Sequence, residues 1–192
     1  MINPEKITNY DLDDRGLEEF ILFWVCAAGK NGRTAARCLD KFLCNTNSID
    51  NPFKGIREWS TRHGNIPEMM KGAGIGCYYA KASTFIELVL SNLNLITCTA
   101  SDLESIYGIG CKTSRCFILH SRSNAQVAGL DTHMLKHLRA SGYDDVPKST
   151  PTGNKYLTNE KRVLSLAKEA GMAPSEFDLW VWNKYSVKSK AQ

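Results

Sequence analysis

The sequence predicts an all-α fold, and three observations carry that reading. Apolar side chains recur at the helical spacing in segment after segment of the 192 residues. Sustained alternation with period two is missing. Gly, Pro and Asn stand between the periodic stretches, where a helix would have to stop.

Taken in order, Leu17, Phe20, Ile21, Trp24, Val25 and Ala28 line one face of a first helix. Asp13 or Asp14 is placed to cap its start and Gly29 to end it. The same period predicts helices over residues 34–42, 53–62, 78–93, 101–106, 112–121, 132–140, 158–170 and 174–185, about nine or ten in all. Ser101 and Glu104 have capping-box spacing at the start of the short fifth segment. Residues 144–159, rich in Pro, Thr, Ser and Lys, read as a surface connection. His63 and His137 read as surface residues.

A hydrophobic content of 43% with a net charge of +4 argues for a folded chain rather than a disordered one. The first 20 residues hold six acids against Lys6 and Arg15, so the rest of the chain carries +8, which suits an anionic partner. The longest apolar run, residues 20–29, is too short to span a bilayer, and the first ten residues lack the apolar centre of a signal peptide. Seven cysteines with no C-x-x-C pair fit a reduced intracellular chain without a disulfide framework or zinc ribbon. No His/Cys/carboxylate grouping suggests a catalytic metal.

The most informative stretch is residues 101–137, SDLESIYGIGCKTSRCFILHSRSNAQVAGLDTHMLKH. Gly108-Ile109-Gly110 between two short helices is a hairpin whose glycines let the backbone approach a phosphate, and whose second helix offers free N–H groups to an anion. Such a turn holds a nucleic-acid backbone without reading its sequence. A G-x-G turn alone is equally an ordinary helical corner. Here Lys112 stands two residues after Gly110, and Asp131 lies 19 residues further in Leu-Asp-Thr-His.

That combination of hairpin, lysine, spacing and Asp-x-His resembles the helix-hairpin-helix DNA glycosylase superfamily, in which this lysine and aspartate are the catalytic pair. The C-terminal part, including Ser175-Glu-Phe-Asp-Leu-Trp-Val-Trp182, resembles the compact, archaeal-type 8-oxoguanine DNA glycosylase/AP lyases. Phe23-Trp-Val-Cys-Ala-Ala and Gly76-Cys-Tyr-Tyr-Ala-Lys-Ala82 are similar to the helix and turn that face DNA in that superfamily, so the likeness spans roughly residues 17–185. Tyr107 stands where many relatives have proline, and the iron–sulfur cysteines of the endonuclease III branch are absent, because no cysteine follows Cys116.

The resemblance implies two helical lobes flanking a DNA-binding cleft: residues 1–25 with 123–192 as one, and residues 26–122, ending in the hairpin 101–121, as the other. It implies a lysine Schiff-base mechanism on 8-oxoguanine in double-stranded DNA, with Lys112 as nucleophile and Asp131 stabilising charge or deprotonating the attacking group. The same mechanism on an oxidised pyrimidine and a non-catalytic DNA-binding module are the alternatives. Cys116 and Trp182 match pocket residues, with Trp180 turned to the core. His133 is a neighbour of the Asp131 turn, and the carbonyls of Ile106 and Ile109 are candidate ligands of a Na+ or K+ ion. No other cofactor is implied. Gly108, Gly110 and Thr113 of the hairpin, Lys30, Asn31 and Arg33 of the first loop, and Cys77, Tyr78 and Lys81 of the second are the candidate DNA contacts. The chain end beyond Trp182 falls where the compact family recognises the oxidised base. A monomer located with the genomic DNA, in nucleoid or nucleus, completes the expectation.

Overall fold

The computed structural model describes residues 2–186, and among them every extended regular element is an α-helix. A single 3-10 turn, Pro4–Lys6, precedes α1 (Asp14–Ala27), α2 (Gly32–Asn45), α3 (Pro52–His63), α4 (Ile66–Ala73), α5 (Tyr78–Leu90), α6 (Ala100–Glu104), α7 (Cys111–Ser121), α8 (Thr132–Ala140), α9 (Gly153–Glu169) and α10 (Pro174–Ser186). Asp13 is the cap of α1, its carboxylate accepting from Gly16 N–H at 2.8 Å, and Gly29 follows the helix in the left-handed region.

Two hydrophobic clusters organise the helices. Phe20, Phe23, Phe42, Phe85 and Phe117 belong to the first, which runs from Ile7 to Ala125 and contains α1 to α7. Leu130, Leu135, Tyr156, Val163, Phe177 and Val181 belong to the second, built by α8, α9 and α10. The apolar face of α1 is buried against α2, α3, α5 and α7, and Leu179 of α10 packs on the same cluster. Near the start of the chain, Asn9 N–H donates to the His120 carbonyl on α7, and Tyr10 Oη lies 2.6 Å from Ser175 Oγ on α10.

Four sequence expectations are corrected. The helix α4 was not anticipated, because eight residues with three inward positions, Ile66, Met70 and Ala73, are too few to establish a period. The capping box before the hairpin is Thr99 with Asp102 rather than Ser101 with Glu104, since α6 starts at Ala100, two residues before a Ser101 cap would set it, and Glu104 is drawn inward by Arg115. The segment 144–159 is only in part a surface connection. Tyr156 is fully buried, donating to the Ala128 carbonyl at 2.8 Å and accepting from Leu130 N–H at 3.1 Å, so α9 begins at Gly153. His137 is buried rather than exposed, lying between the rings of Phe177, Trp180 and Tyr185. That burial pushes its pKa down.

Arg115 joins the two clusters. Its buried guanidinium pairs with Glu104 of α6 and with Glu160 of α9, the latter at 2.9 Å, and stacks over the Tyr156 ring. Glu160 also accepts from Ala128 N–H at 3.0 Å, on the segment leading to α8. One arginine therefore fixes how the hairpin and its following helix sit against the C-terminal lobe.

Candidate active site

The hairpin between α6 and α7 is closed by Ile109 N–H donating to the Ile106 carbonyl at 3.1 Å. Its two glycines do different work. Gly108 has φ +81°, and a Cβ there would overlap Thr84 Oγ1 on α5, so it seats the turn against the first lobe. Gly110, the N-cap of α7, has nothing within 4 Å of a Cβ position and is open to an approaching backbone. The side chain of Thr113 is buried in the first turn of α7, which corrects its expected contact with DNA: only its main-chain N–H, at the helix start, is left for an anion. Gly110→Asp is expected to weaken binding of lesion and undamaged duplex alike, by about tenfold, as a carboxylate meets phosphate. Titrations at fixed salt would show this, and an unchanged affinity in a folded variant would take the hairpin out of the interface.

Lys112 emerges half-buried from the first turn of α7, and among the described residues its amine takes no hydrogen-bond or ion-pair partner. Asp131 caps α8 and accepts from Met134 N–H at 2.8 Å. Its own N–H donates to the Gly129 carbonyl at 3.1 Å, a tight turn just before α8. Burial pushes the Asp131 pKa up, as does the nearby Asp178, while the Met134 N–H, Lys112 and His133 pull it down. The structure thus brings Lys112 and Asp131, from the starts of two helices, within electrostatic range of each other.

Cys116 lies one turn below Lys112 with its sulfur against Gly129, where a Cβ would overlap it. Its thiol is buried and its pKa is pushed up by that burial. On the third side stands Asp178 of α10, with an oxygen 3.9 Å from the same Cβ position of Gly129. The sequence reading passed over Asp178. A carboxylate four residues before Trp182, on one helical face, was the signal available.

That spacing places Trp182 on the Asp178 side of α10. Trp180 is 42% exposed and stacks on Phe177 and against His137, with the Lys184 amine 4.8 Å from its ring, so its expected place in the core is corrected. Two residues apart on α10, only one of the two tryptophans faces the Lys112 side, and the core beneath the helix is filled by Phe177 and Val181. His133 stacks on Tyr185 at 6.4 Å beside Asp131. The chain end that the sequence likens to a base-recognition element lies, after Ser186, outside the described residues.

The loop residues expected to meet DNA are mostly engaged within the protein. The Lys30 amine donates to the Gly74 carbonyl at 2.6 Å, joining the two loops. Asn31 caps α2, and Arg33 pairs with Glu5. Cys77 is exposed in the left-handed region at φ +52°, and Tyr78 is half-buried beside the more exposed Tyr79. Lys81 is corrected outright: it is buried and donates to the carbonyls of Cys26 and Ala28, at 2.9 and 3.0 Å, closing the C-terminus of α1. Among the described residues no group of three or more His, Cys, Asp or Glu is placed to hold a metal ion. At the hairpin, the Ile106 carbonyl keeps one lone pair beyond its bond to Ile109 N–H, the feature a monovalent cation would use.

No family model matches the chain. An 8-oxoguanine DNA glycosylase/AP lyase of Thermoplasma volcanium is 39% identical over 195 residues, covering 95% of this chain and 88% of the relative. A Methanocaldococcus jannaschii protein of the same name is 35% identical over 81 residues, 42% of this chain and 38% of the relative. Among solved structures, the 8-oxoguanine DNA glycosylase of Thermotoga maritima superposes with a TM-score of 0.68 at 20% identity, covering 89% of this chain and 80% of that one. The Methanocaldococcus jannaschii 8-oxoguanine glycosylase/lyase, in complex with a 15mer DNA containing 8-oxoguanine, gives 0.67 at 18% identity over 95% and 86%. The fold is that of the helical DNA glycosylases, and by its identity to the Thermoplasma protein over nearly its whole length the chain belongs to the 8-oxoguanine DNA glycosylase/AP lyase family.

Proposed function

We propose that this protein is a bifunctional DNA glycosylase/AP lyase that excises 8-oxoguanine from double-stranded DNA, with Lys112 and Asp131 as its catalytic pair. The observation that carries the assignment of the pair is an amine without a partner, half-buried at the start of α7 and within electrostatic range of the carboxylate that caps α8. The free amine of Lys112 attacks the sugar C1′, the C1′–N9 bond breaks, and the base departs with its electron pair. The C1′–O4′ bond then breaks, one proton of the attached amine passing to O4′, and the open sugar stays joined to Lys112 as a protonated Schiff base. Removal of a C2′ proton then expels the 3′ phosphate by β-elimination and nicks the strand. Asp131 takes the proton from the lysine ammonium and offsets positive charge on the sugar.

The damaged nucleotide must leave the stack to reach this cleft. Trp182 supplies the ring on which the base lies, Cys116 the wall behind it, and His133 a contact beside Asp131. Gly110 and the α7 N–H groups hold the phosphates, with Na+ or K+ at Ile106 and Ile109 completing the hairpin's hold. The protein acts as a monomer on genomic DNA, and none of the helices described is long and apolar enough to cross a membrane.

Borohydride trapping on two duplexes, one with 8-oxoguanine and one with an oxidised pyrimidine, tests the reading. A covalent adduct on the 8-oxoguanine duplex supports it, preference for the pyrimidine duplex changes the substrate, and absence of both base release and adduct leaves a passive DNA-binding module. Trp182→Ala is expected to slow excision by about 5- to 150-fold, since base–aromatic stacking contributes roughly 1–3 kcal/mol. Binding of undamaged duplex should change little. If Trp180→Ala proves the damaging change instead, the two faces of α10 are reversed.

A further inference from the structure

Beneath the cleft, a fully buried histidine links α10 to the N-terminal segment. His120, in the last turn of α7, is 1% exposed. Its Nε2 lies 3.3 Å from Asp178 Oδ2, its Nδ1 lies 2.8 Å from Thr8 Oγ1, and the Trp24 ring is stacked on it at 5.7 Å and 14°. A neutral imidazole that accepts the Thr8 hydroxyl proton at Nδ1 donates from Nε2 to Asp178, so all three polar groups are satisfied by one arrangement of protons. This tether uses one carboxylate oxygen of Asp178. The other faces Gly129, two residues before Asp131.

We propose that Asp178 is a positioning residue for the catalytic pair: held by His120 against the turn that delivers Asp131, its carboxylate repels that of Asp131 and makes it a better proton acceptor for Lys112. This rests on the reading of Lys112 and Asp131 as catalytic. The charged and titratable groups around Asp131 are Lys112 and Cys116 of α7, His133 of α8 and Asp178 of α10, and the Tyr156 hydroxyl of α9 is bonded to the neighbouring Leu130. Lys112 and His133 favour the charged carboxylate, while Asp178 acts with burial against it. The proton step is balanced: it leaves the Lys112 ammonium, arrives on an Asp131 oxygen, and is returned when the product is released. A carboxylate of higher proton affinity takes that proton more readily.

The test is the pH profile of single-turnover 8-oxoguanine excision, with duplex affinity and melting temperature measured on the same proteins. Because the working form of Asp131 is the carboxylate, excision falls on the acid side as Asp131 is protonated. Asp178→Asn removes the repulsion, lowers the proton affinity of Asp131 and should move that acid limb down by about one pH unit, with a plateau rate about tenfold lower and affinity nearly unchanged. Asp178→Glu keeps the charge and should leave the limb close to that of the unaltered protein. A folded Asp178→Asn protein with an unmoved acid limb overturns the inference, whatever its rate. Should it fail to fold, His120→Gln loosens the tether and is expected to move the limb the same way by about half a pH unit; an unmoved limb there overturns it equally. Asp131→Asn separates the two ideas: if it excises at the normal rate, the catalytic pair itself is wrong, whereas slow excision by Asp131→Asn with an unmoved limb in Asp178→Asn removes the positioning role alone.

Discussion

Lys112→Gln should abolish both the borohydride-trapped adduct and strand nicking, by more than about a thousandfold, while lesion duplex is still bound. Glutamine keeps the length and polarity of the side chain at the first turn of α7 but has no amine to join C1′. The neutral side chain also removes one cation from the interface, so a modest loss of affinity that shrinks with added salt is part of the expectation. A monofunctional enzyme using water would release base without any trapped adduct even before mutation. Trapping by the Lys112→Gln protein at the unaltered level would refute the assignment and send attention to Lys136 and Lys184, which are exposed on the neighbouring helices. Lys81 is a poor substitute, because its amine is occupied by the α1 carbonyls.

Arg115→Met should lower stability by about 3–5 kcal/mol, read as a fall in melting temperature of roughly 6–20 °C. Methionine fills much of the space but leaves the carboxylates of Glu104 and Glu160 facing each other without the guanidinium between them. Removing one partner of a buried network costs more than the network contributes, since the stranded charges, that of Glu160 above all, lie largely out of water. Thermal melts of Arg115→Met combined with Glu104→Gln and Glu160→Gln give a sharper check. Neutral amides in place of the two carboxylates relieve the repulsion, so the deficit should narrow in the combined variant. A variant that melts with the unaltered protein would show that the three groups contribute nothing net.

The helical period made most of the fold legible, because a helix that buries one stripe repeats that stripe in sequence. Leu17 to Ala28 carried α1 in this way, and Asp131 announced α8 through its cap. The lost elements are those where another force decides. The period fades in α4 because it is short, and the start of α9 is set by the buried hydroxyl of Tyr156, whose partners are main-chain groups some 26 residues away. At the site, the pair Lys112 and Asp131 was visible because both sit at helix starts, next to motifs of fixed spacing. Asp178 and His120 were not, since what unites them is a contact between residues 58 apart. Lys81 misled for the opposite reason: a lysine in a loop-proximal motif reads as a phosphate contact, and only the position of the α1 carbonyls shows where its charge is used.

The contacts of Thr8 with His120 and of Tyr10 with Ser175 join residues 112 and 165 positions apart. During synthesis the first lobe can gather its helices as they emerge, and Glu5 can meet Arg33 of α2 early, yet Thr8 and Asn9 have no partner until α7 is made and Tyr10 none until α10 is made. Closing so long a loop is slow relative to forming the local helix pairs, so the segment and α10 should be the last parts to lock. A ribosome-bound chain lacking its final helix would then hold a folded first lobe with a loose leading strand, open to proteases at the acidic residues 11–14. When α10 arrives, Asp178 closes on His120 and Ser175 on Tyr10 together, so the cleft is completed by the same event that gives the segment its second anchor.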